Sequence, residues 1–125
     1  MKKNIKTLKA PQAIGPYSQA VVVDDFIFIS GQIPLLPNGE LIKGTIEKET
    51  HQVMKNLNAI LDASKVSFKD VVKITLYVTD ISMFKRVNEV YKSYMSEPYP
   101  ARETVGVKEL PLGAKLEMSM IATKE

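Results

Sequence analysis

A single arginine is the residue of this chain whose type and position could do chemistry. Arg102 lies in the segment Tyr99-Pro100-Ala101-Arg102-Glu103-Thr104-Val105, whose pattern is typical of a β-strand. Only Arg86 and Arg102 are arginines among the 17 basic residues, and the others are lysines. A guanidinium is a rigid planar fork that binds a carboxylate or a phosphate through two parallel hydrogen bonds, which an ammonium group cannot do. Arg102 is therefore either an anion-binding residue or half of a structural ion pair, whereas Arg86 is expected on a solvated helix face.

The composition excludes several other kinds of site. The chain has 125 residues, no cysteine and a single histidine, His51. It can therefore form no disulfide, no thiol nucleophile and no thiolate metal site, and one histidine cannot build a zinc site alone. We expect no metal and no cofactor, and we expect His51 to be a solvated surface residue.

Hydropathy and charge predict a soluble, cytoplasmic protein with one domain over residues 1–125. The hydrophobic content of 45% and the charged content of 25% are ordinary for a globular protein. The segment Met1–Lys6 lacks the apolar core of a signal peptide, and no apolar run approaches the length of a membrane span, so no membrane partner is expected. The net charge of +3 is spread over scattered lysines, which argues against nucleic acid as a partner.

Hydrophobic periodicity predicts the elements that must position Arg102. Strands are predicted at residues 19–24, 26–31, 71–78, 102–107 and 115–123. Helices are predicted at about residues 46–64, with Thr45 as the cap, and from Asp80 or Ser82 to a point before Pro98. Asn38-Gly39 supplies a turn signal after the second strand.

Two helices can cover only one face of such a sheet, which leaves the other face to explain. In the strand at 71–78, alternation puts one apolar set against the helices: Val72, Ile74, Leu76 and Val78. The uncovered face would carry a mixture of aromatic, apolar and polar side chains: Phe26, Phe28, Lys73, Thr75, Tyr77, Glu117 and Ser119. Such a face favours self-association with a site in the seam, and the alternative is a partly exposed antiparallel sheet.

Six short motifs occur in one chain, and their order and separation indicate a family resemblance. They are Ala13-Ile14-Gly15-Pro16-Tyr17-Ser18-Gln19-Ala20, Ile29-Ser30-Gly31-Gln32-Ile33-Pro34, Val87-Asn88-Glu89-Val90-Tyr91, Pro100-Ala101-Arg102-Glu103-Thr104-Val105, Leu110-Pro111 and Leu116-Glu117-Met118. In this order and at these separations the chain resembles the RidA/YjgF family of reactive-intermediate deaminases, which hydrolyse enamines and imines. The resemblance spans the chain from Ile5 to Ala122.

This resemblance implies a fold, an assembly and a reaction. The fold would be α+β and chorismate-mutase-like, with a mixed sheet that carries two helices on one face. Three copies would form a homotrimer whose sheets close a barrel, with ligand clefts between neighbouring subunits. The chain would be a hydrolase of the 2-iminobutanoate/2-iminopropanoate deaminase type. It would convert 2-aminoacrylate, 2-iminobutyrate and similar compounds into 2-keto acids and ammonia, without a cofactor or a metal.

The resemblance also implies roles for seven residues. Arg102 would clamp the substrate carboxylate, and Glu117 would position the attacking water. The remaining substrate-binding residues would be Tyr17, Ser30, Gly31, Asn88 and Thr104. Gly31 and Thr104 would act through their backbone N–H groups, and Thr104 stands where many relatives have a cysteine. Alternation puts Glu103 on the face opposite Arg102.

The sequence also allows other roles for Arg102 and Glu117 and other functions for the chain. Arg102 could pair with Glu117 across adjacent strands as a structural ion pair, and Glu117 could simply face solvent. The same pocket could belong to a non-catalytic module that binds a keto acid. The chain could also be an RNA-directed translation inhibitor or endoribonuclease, against which stand the scattered lysines, the lack of an aromatic and basic stacking surface and the lack of a second histidine.

Overall fold

The computed structural model of this chain describes residues 1–124, and the last residue of the predicted domain 1–125 lies outside them. The strands are β1 (Lys3–Ile5), β2 (Ala20–Val23), β3 (Phe26–Gln32), β4 (Val71–Val78), β5 (Ala101–Gly106) and β6 (Leu116–Thr123). The α-helices are α1 (Ile46–Ala63) and α2 (Phe84–Tyr94). The strands form one sheet in the order β1-β2-β3-β6-β4-β5, in which only β4 and β5 are parallel. The predicted mixed sheet with two helices is confirmed.

Helix α1 begins at the predicted residue because Thr45 caps it. The Thr45 side chain accepts a hydrogen bond from the Lys48 N–H at 3.2 Å, which satisfies one of the free donors of the first turn. The buried face of α1 includes apolar residues at helical spacing: Ile46, Val53, Leu57, Ile60 and Leu61. The helix ends where Ser64 caps it.

Helix α2 begins two to four residues later than predicted, at Phe84. A 3₁₀ turn over Ile81–Met83 precedes it, and the Asp80 carboxylate accepts the Ser82 N–H at 3.0 Å at the start of that turn. Arg86 of α2 lies at the surface as predicted, but it is not merely solvated. Its Nε and a terminal nitrogen each donate to the Glu47 carboxylate of α1 at 2.7 Å. This bidentate pair ties the two helices together.

One residue of β4 lies on the face opposite to the predicted one. Val71 is buried, whereas Val72 is 43% exposed. Val71 pairs with Ala122 and Lys73 pairs with Ile121, so Val72 is an extra residue in the β4 ladder. Such a bulge shifts the alternation by one position, and the predicted unbroken apolar face is therefore wrong at Val72.

The helices cover one face of the sheet and leave the other uncovered. The core lies between α1, α2 and the inward residues of three strands: Ile27, Ile29, Ile74, Leu76, Val78, Leu116, Met118 and Met120. On the uncovered face, Phe26 and Phe28 remain 46% and 43% exposed. A cross-strand row there joins Phe28 to Ile121 and Ile121 to Lys73, so apolar and charged side chains are neighbours, as the sequence predicts.

Neither α1 nor α2, nor any other helix within residues 1–124, has the length and apolar composition that crossing a lipid bilayer requires.

Candidate functional site

Arg102 points toward the helices, where three residues of α2 contact its guanidinium. On β5 it pairs with Ile74, whose side chain is part of the core, so both lie on the helix-covered face. One terminal guanidinium nitrogen donates to the Asn88 side-chain oxygen at 2.6 Å. The guanidinium carbon lies 5.0 Å from the Phe84 ring centre and 4.9 Å from the Tyr91 ring centre. These three α2 residues are spaced at i, i+4 and i+7, the spacing of one helix face.

The Arg102 side chain borders a cavity of about 460 Å³. Its lining residues are Asn88, Tyr91, Lys92, Tyr99, Pro100 and Arg102, and no acidic residue of the described part of the chain is among them. Burial raises the pKa of Tyr91 above the ordinary tyrosine value, so its phenol stays neutral at physiological pH. Aromatic and basic side chains lie together in this cavity, where Tyr91 and Tyr99 adjoin Lys92 and Arg102. Tyr99 is the exposed ring of this concave site, which is not an extended stacking surface.

Thr104 lies on the same face as Arg102, because it pairs with the core residue Leu76. Strand β5 is the outermost strand of the sheet on this side. Glu103, between the two, faces the other way and lies 3.7 Å from the Lys73 ammonium. The predicted opposite orientation of Glu103 and Arg102 is confirmed.

Glu117 lies on the uncovered face of β6, directly against Gly31. The pairing of β3 with β6 is irregular between Ile29 and Gln32, and this irregularity contains Gly31. A Cβ atom on Gly31 would lie 2.8 Å from the Glu117 Cδ and closer still to its Oε2. Only a glycine leaves the carboxylate in this position. Burial raises the pKa of Glu117 above the ordinary carboxyl value.

A second cavity, of about 640 Å³, surrounds Glu117. Four of the predicted site residues line it: Tyr17, Ser30, Gly31 and Glu117. Its walls also include apolar side chains: Ile14, Ile33, Leu35 and Leu112. The Ser30 hydroxyl donates to the Ser18 carbonyl at 2.6 Å, and the Tyr17 hydroxyl accepts the Ile14 N–H at 3.4 Å. Both hydroxyls therefore also shape the loop that walls the cavity.

The predicted site residues thus fall into two groups that lie apart from each other within one chain. The Arg102 group consists of Asn88, Arg102 and Thr104, and the Glu117 group consists of Tyr17, Ser30, Gly31 and Glu117. Strand β4 lies between β5 and β6, and Arg102 and Glu117 point to opposite faces. The ion pair between Arg102 and Glu117 across adjacent strands, considered above, is therefore wrong.

The contact of Phe84 and Tyr91 with Arg102 is not among the predictions from the sequence. Their spacing around Asn88 on α2 is the signal that could have found them. Within residues 1–124, no group of three or more histidine, cysteine or acidic side chains lies close enough together to hold a metal ion.

The chain is similar to known proteins along nearly its whole length. The family described as endoribonuclease L-PSP matches residues 7–124. A RutC family protein of Pyrococcus abyssi is 49% identical over 125 residues, which cover 99% of this chain and 98% of that protein. The 2-iminobutanoate/2-iminopropanoate deaminase of Homo sapiens is 46% identical over 123 residues, which cover 98% of this chain and 90% of that protein. The crystal structure of E. coli TdcF with bound serine matches with a TM-score of 0.92 and 38% identity, over 98% of this chain and 99% of that one. The chain therefore belongs to the RidA/YjgF family.

Proposed function

We propose that this chain is a hydrolytic deaminase that converts reactive 2-enamines and 2-imines into 2-keto acids and ammonia. The observation that carries the proposal is the Arg102 cavity, in which an arginine side chain is held by neutral groups and faces no carboxylate of the described residues. Such a fork matches the geometry of a carboxylate, which a small organic acid supplies. The name of the human relative adds the 2-iminobutanoate and 2-iminopropanoate class of substrate.

The proposed reaction asks little of the protein. An enamine such as 2-aminoacrylate tautomerises to the imine, whose C2 carbon is electrophilic. Water adds to C2, and the resulting carbinolamine expels ammonia to leave the keto acid. Arg102 holds the carboxylate, and backbone N–H groups of Gly31 and Thr104 assist it. Positioning together with one general base contributes roughly 10²–10⁴-fold, which suffices for a compound that already hydrolyses in water.

Glu117 is the proposed general base and acid. Its carboxylate takes a proton from the attacking water, and the same group returns a proton to the departing nitrogen. A raised pKa suits both steps, because the carboxylate is a stronger base than an exposed one and the protonated carboxyl is available as an acid up to a higher pH. Tyr17, Ser30 and Asn88 complete the pocket. No metal and no cofactor takes part in this scheme.

The proposed active assembly is a homotrimer, with each site built from the Arg102 group of one subunit and the Glu117 group of the next. Two observations support this arrangement. Arg102 and Glu117 line separate cavities, and their side chains point to opposite faces of the sheet. The uncovered face also exposes Phe26, Phe28 and Val72, which a neighbouring sheet would bury.

A coupled assay tests the proposed activity. A serine or threonine dehydratase releases the enamine, and keto-acid formation is followed with and without this protein. A deaminase increases the initial rate of keto-acid formation in proportion to its concentration. A module that only binds keto acid leaves that rate unchanged while it still binds 2-ketobutyrate, and this result would refute the proposal.

A further inference from the structure

The two arginines of this chain are held by opposite kinds of partner. Arg86 donates from two nitrogens to the two oxygens of Glu47, so its charge is compensated. Arg102 forms no salt bridge with any side chain in residues 1–124, and its contacts are an amide oxygen and two aromatic rings. Both side chains are fixed in place, but only Arg102 keeps its full positive charge for a ligand.

The aromatic rings hold the guanidinium without using its N–H donors, whereas a carboxylate would occupy them. A ring face attracts a cation through the negative charge density of its π system, without occupying the N–H donors that lie in the guanidinium plane. Asn88 accepts from one terminal nitrogen, and a guanidinium has five N–H donors. The remaining donors have no side-chain acceptor in the described part of the chain. A carboxylate in place of either ring would compete with the substrate for those donors.

We propose that Phe84 and Tyr91 are positioning residues for substrate binding, whose rings hold the Arg102 guanidinium in place so that its free donors meet the substrate carboxylate. The inference rests on the proposed function and adds two residues to its site. It also explains why lysine would be a poor substitute at position 102, because an ammonium lacks the flat surface that stacks on these rings. Burial, which raises the pKa of Tyr91, keeps its ring neutral next to Arg102.

Phe84 and Tyr91 also pack against the core, so the test must separate positioning from stability. Phe84 is half-buried, and Phe84→Leu keeps an apolar side chain while it removes the ring. Phe84→Tyr restores a ring, and Tyr91→Phe keeps the ring while it removes only the hydroxyl. Phe68→Leu is the matched control, because Phe68 is also a half-buried phenylalanine that packs against the core, 5.8 Å from the Tyr94 ring and outside both cavities.

The primary measurement is equilibrium binding of 2-ketobutyrate by the complete protein, accompanied by KM, kcat and melting temperature. Phe84→Leu should weaken binding and raise KM by about fivefold, with kcat within about twofold of the wild-type value, since a cation–π contact is lost. Phe84→Tyr and Tyr91→Phe should bind as the wild type does. Phe68→Leu should lower the melting temperature but leave binding unchanged.

A spectroscopic measurement reports on the guanidinium itself. With only two arginines, the Nε–H region of a nitrogen–proton NMR spectrum holds two signals, and Arg86→Lys assigns them. Ring currents should shift the Arg102 signal in the wild type, and Phe84→Leu should reduce that shift while Phe68→Leu does not.

Three results would overturn the inference. The first is unchanged ketobutyrate binding in Phe84→Leu, and the second is an equal loss of binding in Phe68→Leu. The third is a wild-type protein that binds no keto acid. A protein that binds keto acid in this pattern but hydrolyses no imine would leave the inference standing and refute only the proposed function.

Discussion

Arg102 and Glu117 lie on opposite faces of one sheet, with β4 between their strands. A change of side-chain rotamer cannot bring two such groups together, because the sheet itself separates them. If both act on one substrate, as we propose, each must meet its counterpart from another copy of the chain. This geometry links the chemistry to the assembly, and the predictions below test the two separately.

Arg102→Lys should reduce kcat/KM for imine hydrolysis by at least about tenfold, because an ammonium keeps the charge but loses the bidentate fork. The comparison with Arg86→Lys is the control, since Arg86 pairs with Glu47 at the surface and lines neither cavity. Steady-state kinetics of both variants measure the difference. Equal turnover by Arg102→Lys and the wild type would remove Arg102 from the mechanism.

The pH dependence of the reaction should report Glu117. Burial raises the pKa of this carboxyl above 4.5, its ordinary value, so the base is lost at a higher pH than an exposed carboxylate would be. We expect kcat to rise with pH through that raised pKa on the acid side of its profile. In Glu117→Gln the rate should be much lower and this rise should be absent, while 2-ketobutyrate still binds. An identical profile in the variant would assign Glu117 a structural role.

The same shift predicts an effect of Glu117 on stability. Because the folded state raises the pKa of this group, folding favours its protonated form. Its contribution to stability is present below the pKa of the unfolded chain and is lost as pH rises through the higher pKa of the folded protein. Glu117→Gln should therefore be at least as stable as the wild type at pH 7, and chemical denaturation at pH 4 and pH 7 measures this. A variant that is markedly less stable at pH 7 would contradict the raised pKa of the Glu117 carboxyl.

Gly31→Ala should displace the Glu117 carboxylate, because the new methyl group would overlap its Cδ and Oε2. Since the carboxylate is the end of a flexible side chain, we expect the fold to persist and kcat to fall by about tenfold or more as the base moves away. Gly44→Ala is the matched control: its Cβ would lie 3.7 Å from Lys48 Cδ, an ordinary contact, and Gly44 lines neither cavity. A fully active Gly31→Ala enzyme would argue against a fixed role for Glu117.

RNA cleavage can be tested directly, since the family description names an endoribonuclease. His51 is the only histidine, its Nδ1 lies 2.8 Å from the Tyr94 hydroxyl, and it lines neither cavity. We therefore expect no cleavage of a labelled single-stranded RNA above the rate in buffer. RNA binding that weakens steeply with salt, together with cleavage that His51→Asn abolishes, would contradict this expectation.

Local signals predicted much of the fold. The bounds of β4 and the start of α1 are confirmed, because an alternating apolar run and a threonine cap are features of neighbouring residues. Strand β1 was missed: Lys3–Ile5 is three residues long and mostly polar, and it is a strand only because β2 pairs with it. Val72 was misplaced because a bulge depends on the pairing partner and not on the strand's own sequence.

One feature of the geometry around Arg102 follows from the sequence, but the arrangement of the candidate site does not. Alternation within β5 correctly separates Arg102 from Glu103. It says nothing about which strand lies beside β5, and the insertion of β4 between β5 and β6 is what separates Arg102 from Glu117. The contact of Phe84 and Tyr91 with Arg102 depends on where β5 packs against α2, which the sequence of α2 alone does not determine.

Subunit complementation tests the central claim most directly. Arg102→Ala and Glu117→Gln proteins, each inactive alone, are unfolded together, refolded as a mixture and assayed for imine hydrolysis. If each site takes Arg102 from one subunit and Glu117 from the next, random assortment restores about a quarter of the wild-type activity, because one interface in four then carries both intact residues. A mixture no more active than the two variants refolded separately would contradict the shared site.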